Sequence, residues 1–156
     1  MADDARADRP ESSPAGDARA EGLAGDGSEG IPVIALDASA LMAPVEADLR
    51  LFEELDRLLG GYEVVVPAAV IAELDGLQGG NGAAATAASV GADLAERAET
   101  VATNESYADD ALVALAAAGR VDGVVTVDGP LANRVLAADA PVIGLRGRNT
   151  LAITEP

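Results

Sequence analysis

The sequence predicts an α/β domain in which a parallel sheet is covered by helices on both faces, and two features of its pattern carry that prediction. Four short segments, IPVIALD, YEVVV, GVVTVD and PVIGL, are apolar almost throughout instead of alternating. Continuous apolar runs are the mark of strands buried on both sides. Stretches with helical spacing lie between them and supply the crossovers that parallel strands need. A third observation concerns acids. Asp37 closes IPVIALD and Asp128 closes GVVTVD, and in sheets of this kind ligands bind beyond the carboxyl ends of the strands.

Taken in order, residues 1–30 consist of Ala, Asp, Glu, Gly, Ser, Pro and Arg with almost no large apolar side chain. Such a stretch cannot bury enough surface to offset its ordering entropy, so it reads as a disordered acidic tail ahead of one domain over 31–156. PVIALD is the first strand. A helix over Asp48–Leu59 places Leu49, Phe52, Leu55, Leu58 and Leu59 at helical spacing, and Gly60-Gly61 stops it. YEVVV is the second strand. Pro67 suits the first turn of the following helix, which ends near Gly76. GLQGGNGAAATAAS reads as a flexible loop leading into an alanine-rich helix over Ala83–Val101. A further helix spans Tyr107–Ala118 and ends at Gly119. GVVTVD, a helix over Leu131–Ala138, the strand PVIGL and a short edge strand over Leu151–Ile153 complete the chain.

Composition removes whole classes of chemistry. The chain of 156 residues has no His and no Cys, and all ten of its basic residues are arginine. Zinc sites built on Cys or His, Ser-His-Asp triads, thiol chemistry and lysine Schiff bases are excluded. What remains is carboxylate, and carboxylates with water are the natural ligands of Mg²⁺ or Mn²⁺. No apolar run approaches the roughly 20 residues of a membrane span, and the N-terminus lacks the layout of a signal peptide, so a cytoplasmic protein is expected. The net charge of −17 argues at face value against a nucleic-acid partner, which normally meets a basic footprint. An acidic surface, absent lysine and an alanine-rich core also resemble proteins of halophilic archaea. At about 1 M salt the Debye length is roughly 3 Å, and long-range repulsion of RNA would largely vanish.

Four acids deserve separate weighing. Asp37 and Asp128 each suit the N-cap of a following helix, Ser39 could share the first of those tasks, and Asp109 with Asp110 would favour a helix dipole. Glu73 stands at the border of the apolar stripe in AAVIAELDGL, where a glutamate is ordinarily solvated. Asp109 lies three residues before Leu112 and four before Val113, and so shares their inward face. Four separate capping accidents near one sheet edge are a poorer account than a single cleft. Clustered carboxylates raise one another's pKa values unless cations neutralise them, and a pair of divalent ions about 3.5–4 Å apart can activate water against a phosphodiester. A receiver domain would call for a lysine partner. A haloacid-dehalogenase-like enzyme would place an acid where Ser39 stands. Neither GxxxxGK[ST] nor GxGxxG occurs.

The segments VIALDASALM, YEVVVPAAVIAELDGL, YADDALVALA and VVTVDGPLANRVLAADAPVIGLRGR resemble PIN-domain ribonucleases, over about residues 32–153. The last two, with VIGLRGR near the end, look most like the archaeal branch related to small-subunit ribosomal RNA processing endonucleases, and VapC-type toxins share the acidic set. The resemblance implies a three-layer α/β/α sandwich with a central parallel sheet. It also implies metal-binding and catalytic roles for Asp37, Glu73, Asp109 and Asp128, with Asp110 as a fifth metal ligand and the register of that doublet open. Ser39 and Thr126 match hydroxyl positions that help position substrate. The implied activity is Mg²⁺- or Mn²⁺-dependent hydrolysis of single-stranded RNA, in ribosomal RNA processing or as a toxin. The implied partners are RNA, an antitoxin or a ribosome-biogenesis protein, and a second copy of the chain. The stretch Gly79–Ala88, often basic in this branch, carries no cation here, which leaves Arg134, Arg146 and Arg148 as candidates for phosphate contact. That shortage keeps a second expectation open, a catalytically silent scaffold with the same fold.

Overall fold

The computed structural model describes residues 30–156, so the expected tail, apart from Gly30, lies outside the described residues. Twelve elements follow one another. They are β1 (Val33–Leu36), α1 (Ala38–Glu46), α2 (Leu51–Leu59), β2 (Glu63–Pro67), α3 (Ala68–Gln78), α4 (Gly82–Ala95), β3 (Glu99–Val101), α5 (Ala108–Ala117), β4 (Gly123–Val125), α6 (Gly129–Ala137), β5 (Val142–Arg146) and β6 (Thr150–Thr154). The strands form one sheet in the order β3-β2-β1-β4-β5-β6. All neighbouring strands run parallel except β6, which pairs antiparallel with β5. This is the expected three-layer arrangement, with an antiparallel edge added. Among the described residues no helix is long and apolar enough to cross a membrane.

The topology marks where a ligand belongs. From β1 the chain moves outward through β2 to β3, then returns to place β4 on the other side of β1. Strand order therefore reverses between β1 and β4, and crevices open at such switch points beyond the strands' carboxyl ends. The register Ile34↔Gly123, Ala35↔Val124, Leu36↔Val125 brings the two strands to that edge level with each other. Asp37 N–H then donates to the Val125 carbonyl at 3.0 Å, so Asp37 and Thr126 emerge side by side.

With so few aromatics the core is aliphatic. Ile34, Leu36, Leu41, Leu55, Leu74, Leu112, Leu131 and Ile143 are fully enclosed. Small residues allow helices to come close: Ala87, Ala88 and Gly91 are the buried face of α4 where it meets α1. A methyl group added at Gly91 would stand 3.1 Å from the Leu41 carbonyl oxygen, against backbone that cannot give way cheaply.

Several elements differ from expectation for identifiable reasons. The helix expected from Asp48 starts at Leu51, because Asp48 takes φ +55, outside the right-handed helix. α1, expected only as a short helix behind Asp37, runs for nine residues with Pro44 inside it. The loop expected over Gly79–Ala88 shrinks to the turn at 79–81, since α3 continues to Gln78 through Gly76 and α4 begins at Gly82. The alanine-rich helix ends at Ala95 rather than Val101, and Glu99–Val101 forms β3 on the sheet edge, paired Val65↔Glu99 to Pro67↔Val101. Three residues are too short to display a strand's period, and the preceding alanines carry the helical reading past its true end.

At the opposite edge, β6 is clasped by α2. Glu54 Oε1 accepts from Leu151 N–H at 2.9 Å, while Arg57 donates to the Leu151 carbonyl at 2.8 Å and to Glu54 Oε1 at 2.7 Å. Both outward-facing backbone groups of Leu151 are thus satisfied by one helix face.

Candidate active site

Capping and ligand holding call for the same residue types, and here the two roles separate. Asp37 occupies the N-cap position of α1 with extended backbone, yet its side chain makes no capping bond. The buried carboxylate turns to two hydroxyls instead: Ser39 donates to Oδ2 at 2.6 Å and Thr126 donates to the same oxygen at 2.7 Å. Each hydroxyl in turn accepts a backbone N–H, Ser39 from Val127 and Thr126 from Asp128, both at 3.0 Å. With both protons directed at Asp37, the 3.1 Å approach of Ser39 Oγ to Thr126 Oγ1 is the closure of a fixed triangle. Both donations fall on Oδ2, which leaves Oδ1 for a further ligand. Asp128 does cap α6, accepting from Leu131 N–H at 3.0 Å through Oδ2, and here the capping account holds for one oxygen.

Glu73 on α3 and Asp109 in the first turn of α5 complete the group. The Glu73 carboxyl is pushed above the ordinary glutamate range by desolvation first, then by the charges of Asp37, Asp109 and Asp128. Asp109 is likewise pushed up by desolvation, then by Asp37 and Asp128, with Arg134 opposing. Both are exposed as whole residues, so the desolvation is only partial. Asp37 and Asp128 thus lie within electrostatic reach of both Glu73 and Asp109. Asp110 is different: it pairs with Arg134 at 2.9 Å, the ion pair that joins α5 to α6. The doublet therefore divides, with Asp109 turned to the acids and Asp110 to the arginine. Arg146 and Arg148 are exposed where β5 turns into β6 and, among the described residues, join no ion pair.

The donor chemistry suits a hard divalent cation, for it is all oxygen and one carboxylate is already oriented by hydroxyls. Spacing is the counterweight: among the described residues no three acids stand close enough to hold a metal ion as arranged. Like charges keep such a cleft open until a cation offsets them, so binding would draw the acids inward. This predicts a pH signature. The folded-state pKa values of Glu73 and Asp109 lie above their unfolded values, so the folded chain binds protons more tightly. The resulting stability is full below about pH 4 and declines as pH rises through the folded values. Glu54, held low by its hydrogen bond from Arg57, works in the opposite direction. The clean measurement is therefore the rise in melting temperature on adding Mn²⁺: clear at pH 7, and vanishing near pH 4.

One residue that supports the site escaped the sequence reading. A methyl group on Gly144 of β5 would meet the Thr126 carbonyl oxygen at 3.2 Å. The available signal was a glycine inside an apolar strand, which marks a close backbone approach.

A sequence profile of the PIN-like domain matches residues 34–148, most of the chain. The chain belongs to the PIN-like domain family. Among solved structures, this PIN-like domain is similar to one described as the PIN domain endonuclease Utp24. The TM-score is 0.65 at 22% identity, over 80% of this chain and 92% of the other. It is also similar to a domain of a functionally unknown protein from Methanocaldococcus jannaschii, with a TM-score of 0.56 at 16% identity, over 74% of this chain and 92% of that one. At these identities the likeness is one of fold. No curated protein sequence matches the chain.

Proposed function

We propose that this PIN-like domain is a Mg²⁺- or Mn²⁺-dependent endoribonuclease acting on single-stranded RNA. One observation carries the reading: a buried aspartate at the β1/β4 switch point is held by two hydroxyls, and its charge reaches Glu73 and Asp109 together with that of Asp128. Asp37, Glu73, Asp109 and Asp128 would hold the ion, with Asp110 beside them as a fifth carboxylate. Divalent metal in such a site supplies an activated water and neutralises charge on the phosphodiester. Ser39 and Thr126 fix the orientation of Asp37, and Asp128, capping α6 with Oδ2, offers its other oxygen to the cleft. Among the described residues Arg146 and Arg148 join no ion pair and would be available for phosphate contact, and Arg134 becomes available when it leaves Asp110. The Ser39 and Thr126 hydroxyls are committed to orienting Asp37, so direct attack by water is the reaction this arrangement favours. A role in ribosomal RNA processing or as a toxin, with a ribosome-biogenesis protein or an antitoxin as partner, fits this chemistry, as do a second copy of the chain and a salty archaeal cytoplasm.

A second reading, a catalytically silent scaffold with the PIN fold, is favoured by the open spacing of the acids and the scarcity of cations. Incubating the full chain with a mixed RNA pool in molar KCl, with Mn²⁺ or with EDTA, separates the two. Cleavage that EDTA abolishes is the expected result; a folded protein that leaves every RNA intact points to the scaffold.

A further inference from the structure

Among the described residues, no hydrogen bond, ion pair or ring contact engages the Tyr107 side chain. It is 75% exposed, the largest exposure among the bulky apolar side chains described. The other two aromatics are engaged: the Tyr62 hydroxyl donates to Asp56 at 2.7 Å, and Phe52 lies under the Arg97 guanidinium at 3.8 Å. The Tyr107 backbone, though, is fixed. Its carbonyl accepts from Ala111 N–H at 2.9 Å, anchoring it as the N-cap residue of α5 with an extended backbone and no side-chain capping bond. It stands two residues before Asp109 and three before Asp110, at the end of α5 that carries those acids.

We propose that Tyr107 is the platform on which a base of single-stranded RNA stacks beside the phosphate to be cut. This rests on the nuclease reading and names how that site holds its substrate. Stacking supplies affinity without cations, which are few among the described residues near these acids: Arg134 is taken by Asp110, leaving Arg146 and Arg148. It is also tolerant of sequence, because every base presents a π face.

The chain contains no tryptophan, so Tyr107→Trp creates a single fluorescent reporter at this position. Full-length Tyr107→Trp would be titrated in molar KCl and EDTA with short oligouridine, and with an abasic oligonucleotide carrying the same number of phosphates. Binding of labelled oligouridine to wild type, Tyr107→Phe, Tyr107→Leu and Tyr107→Ala would be followed by anisotropy, alongside the KM and kcat of cleavage with Mn²⁺. The proposal expects saturable quenching by oligouridine and none by the abasic strand. It also expects weakening of roughly ten- to a hundredfold in the Ala and Leu variants, near-wild-type binding in Phe, and a change in KM rather than kcat. Equal affinity and KM in all four, with cleavage intact, would overturn the stacking role and leave the nuclease standing. No binding and no cleavage by the wild type would overturn both.

Discussion

Replacing Asp37 with asparagine is expected to lower metal-dependent RNA cleavage by about a thousandfold or more without loss of the fold. The estimate follows from the several kcal/mol that a bound metal contributes to such a transition state, at about 1.4 kcal/mol per tenfold in rate. Asparagine keeps the shape, and its carbonyl oxygen can still accept the hydroxyls of Ser39 and Thr126 that now converge on Oδ2. Loss of the charge removes one source of the repulsion that pushes up Glu73 and Asp109. In EDTA at pH 7 the variant should therefore melt no lower than the wild type, and its melting temperature should respond little to Mn²⁺. Two readings taken together, rate and melting, distinguish a lost ligand from a damaged fold. A variant that cleaves within tenfold of wild type would remove Asp37 from the site.

Gly91→Ala carries the second large effect, this time on stability. Exchanging a helix-interior glycine for alanine ordinarily gains about 0.8–1 kcal/mol of helix propensity. Here the new methyl would stand 3.1 Å from the Leu41 carbonyl oxygen and 3.2 Å from its carbon, and overpacking of that kind costs about 1–3 kcal/mol. The cost wins, because the obstacle is the backbone of α1 and not the end of a flexible side chain. A fall in melting temperature of roughly 5 °C is expected. Gly76→Ala is the matched control: it also sits inside a helix, α3, but its added methyl meets nothing within 4 Å, so the propensity gain should appear alone and raise the melting temperature. Equal shifts in the two variants would refute the claim that α1 and α4 are in backbone contact at Gly91.

Much of this architecture was legible because burial on both faces writes itself into sequence as unbroken apolar runs. β1, β2, β4 and β5 were readable for that reason. β3 was not, since its three residues lie on an edge and follow a run of alanines whose helical tendency masks the boundary. The start of α2 was misjudged because nothing in the residue type alone shows that Asp48 adopts a left-handed conformation. For the candidate site, the four acids and two hydroxyls stand out in the sequence, but type alone does not separate an aspartate that caps a helix from one held by neighbouring hydroxyls. Only geometry shows that Asp37 does not cap its helix while Asp128 does, and that Asp110, not Asp109, is occupied by Arg134.

The clasp of α2 on β6 bears on how copies of this chain coexist. An edge strand with free backbone groups is a template for edge-to-edge growth. Proteins of high net charge commonly rely on mutual repulsion to stay apart, but in molar salt the field of even −17 charges fades within about 3 Å. The Glu54 and Arg57 bonds to Leu151 act at contact and do not depend on that field. At the far side of the sheet, β3 offers an intruder only three residues. A chain of this kind keeps its sheet at six strands by occupying one margin and abbreviating the other, a safeguard that still operates where charge no longer does.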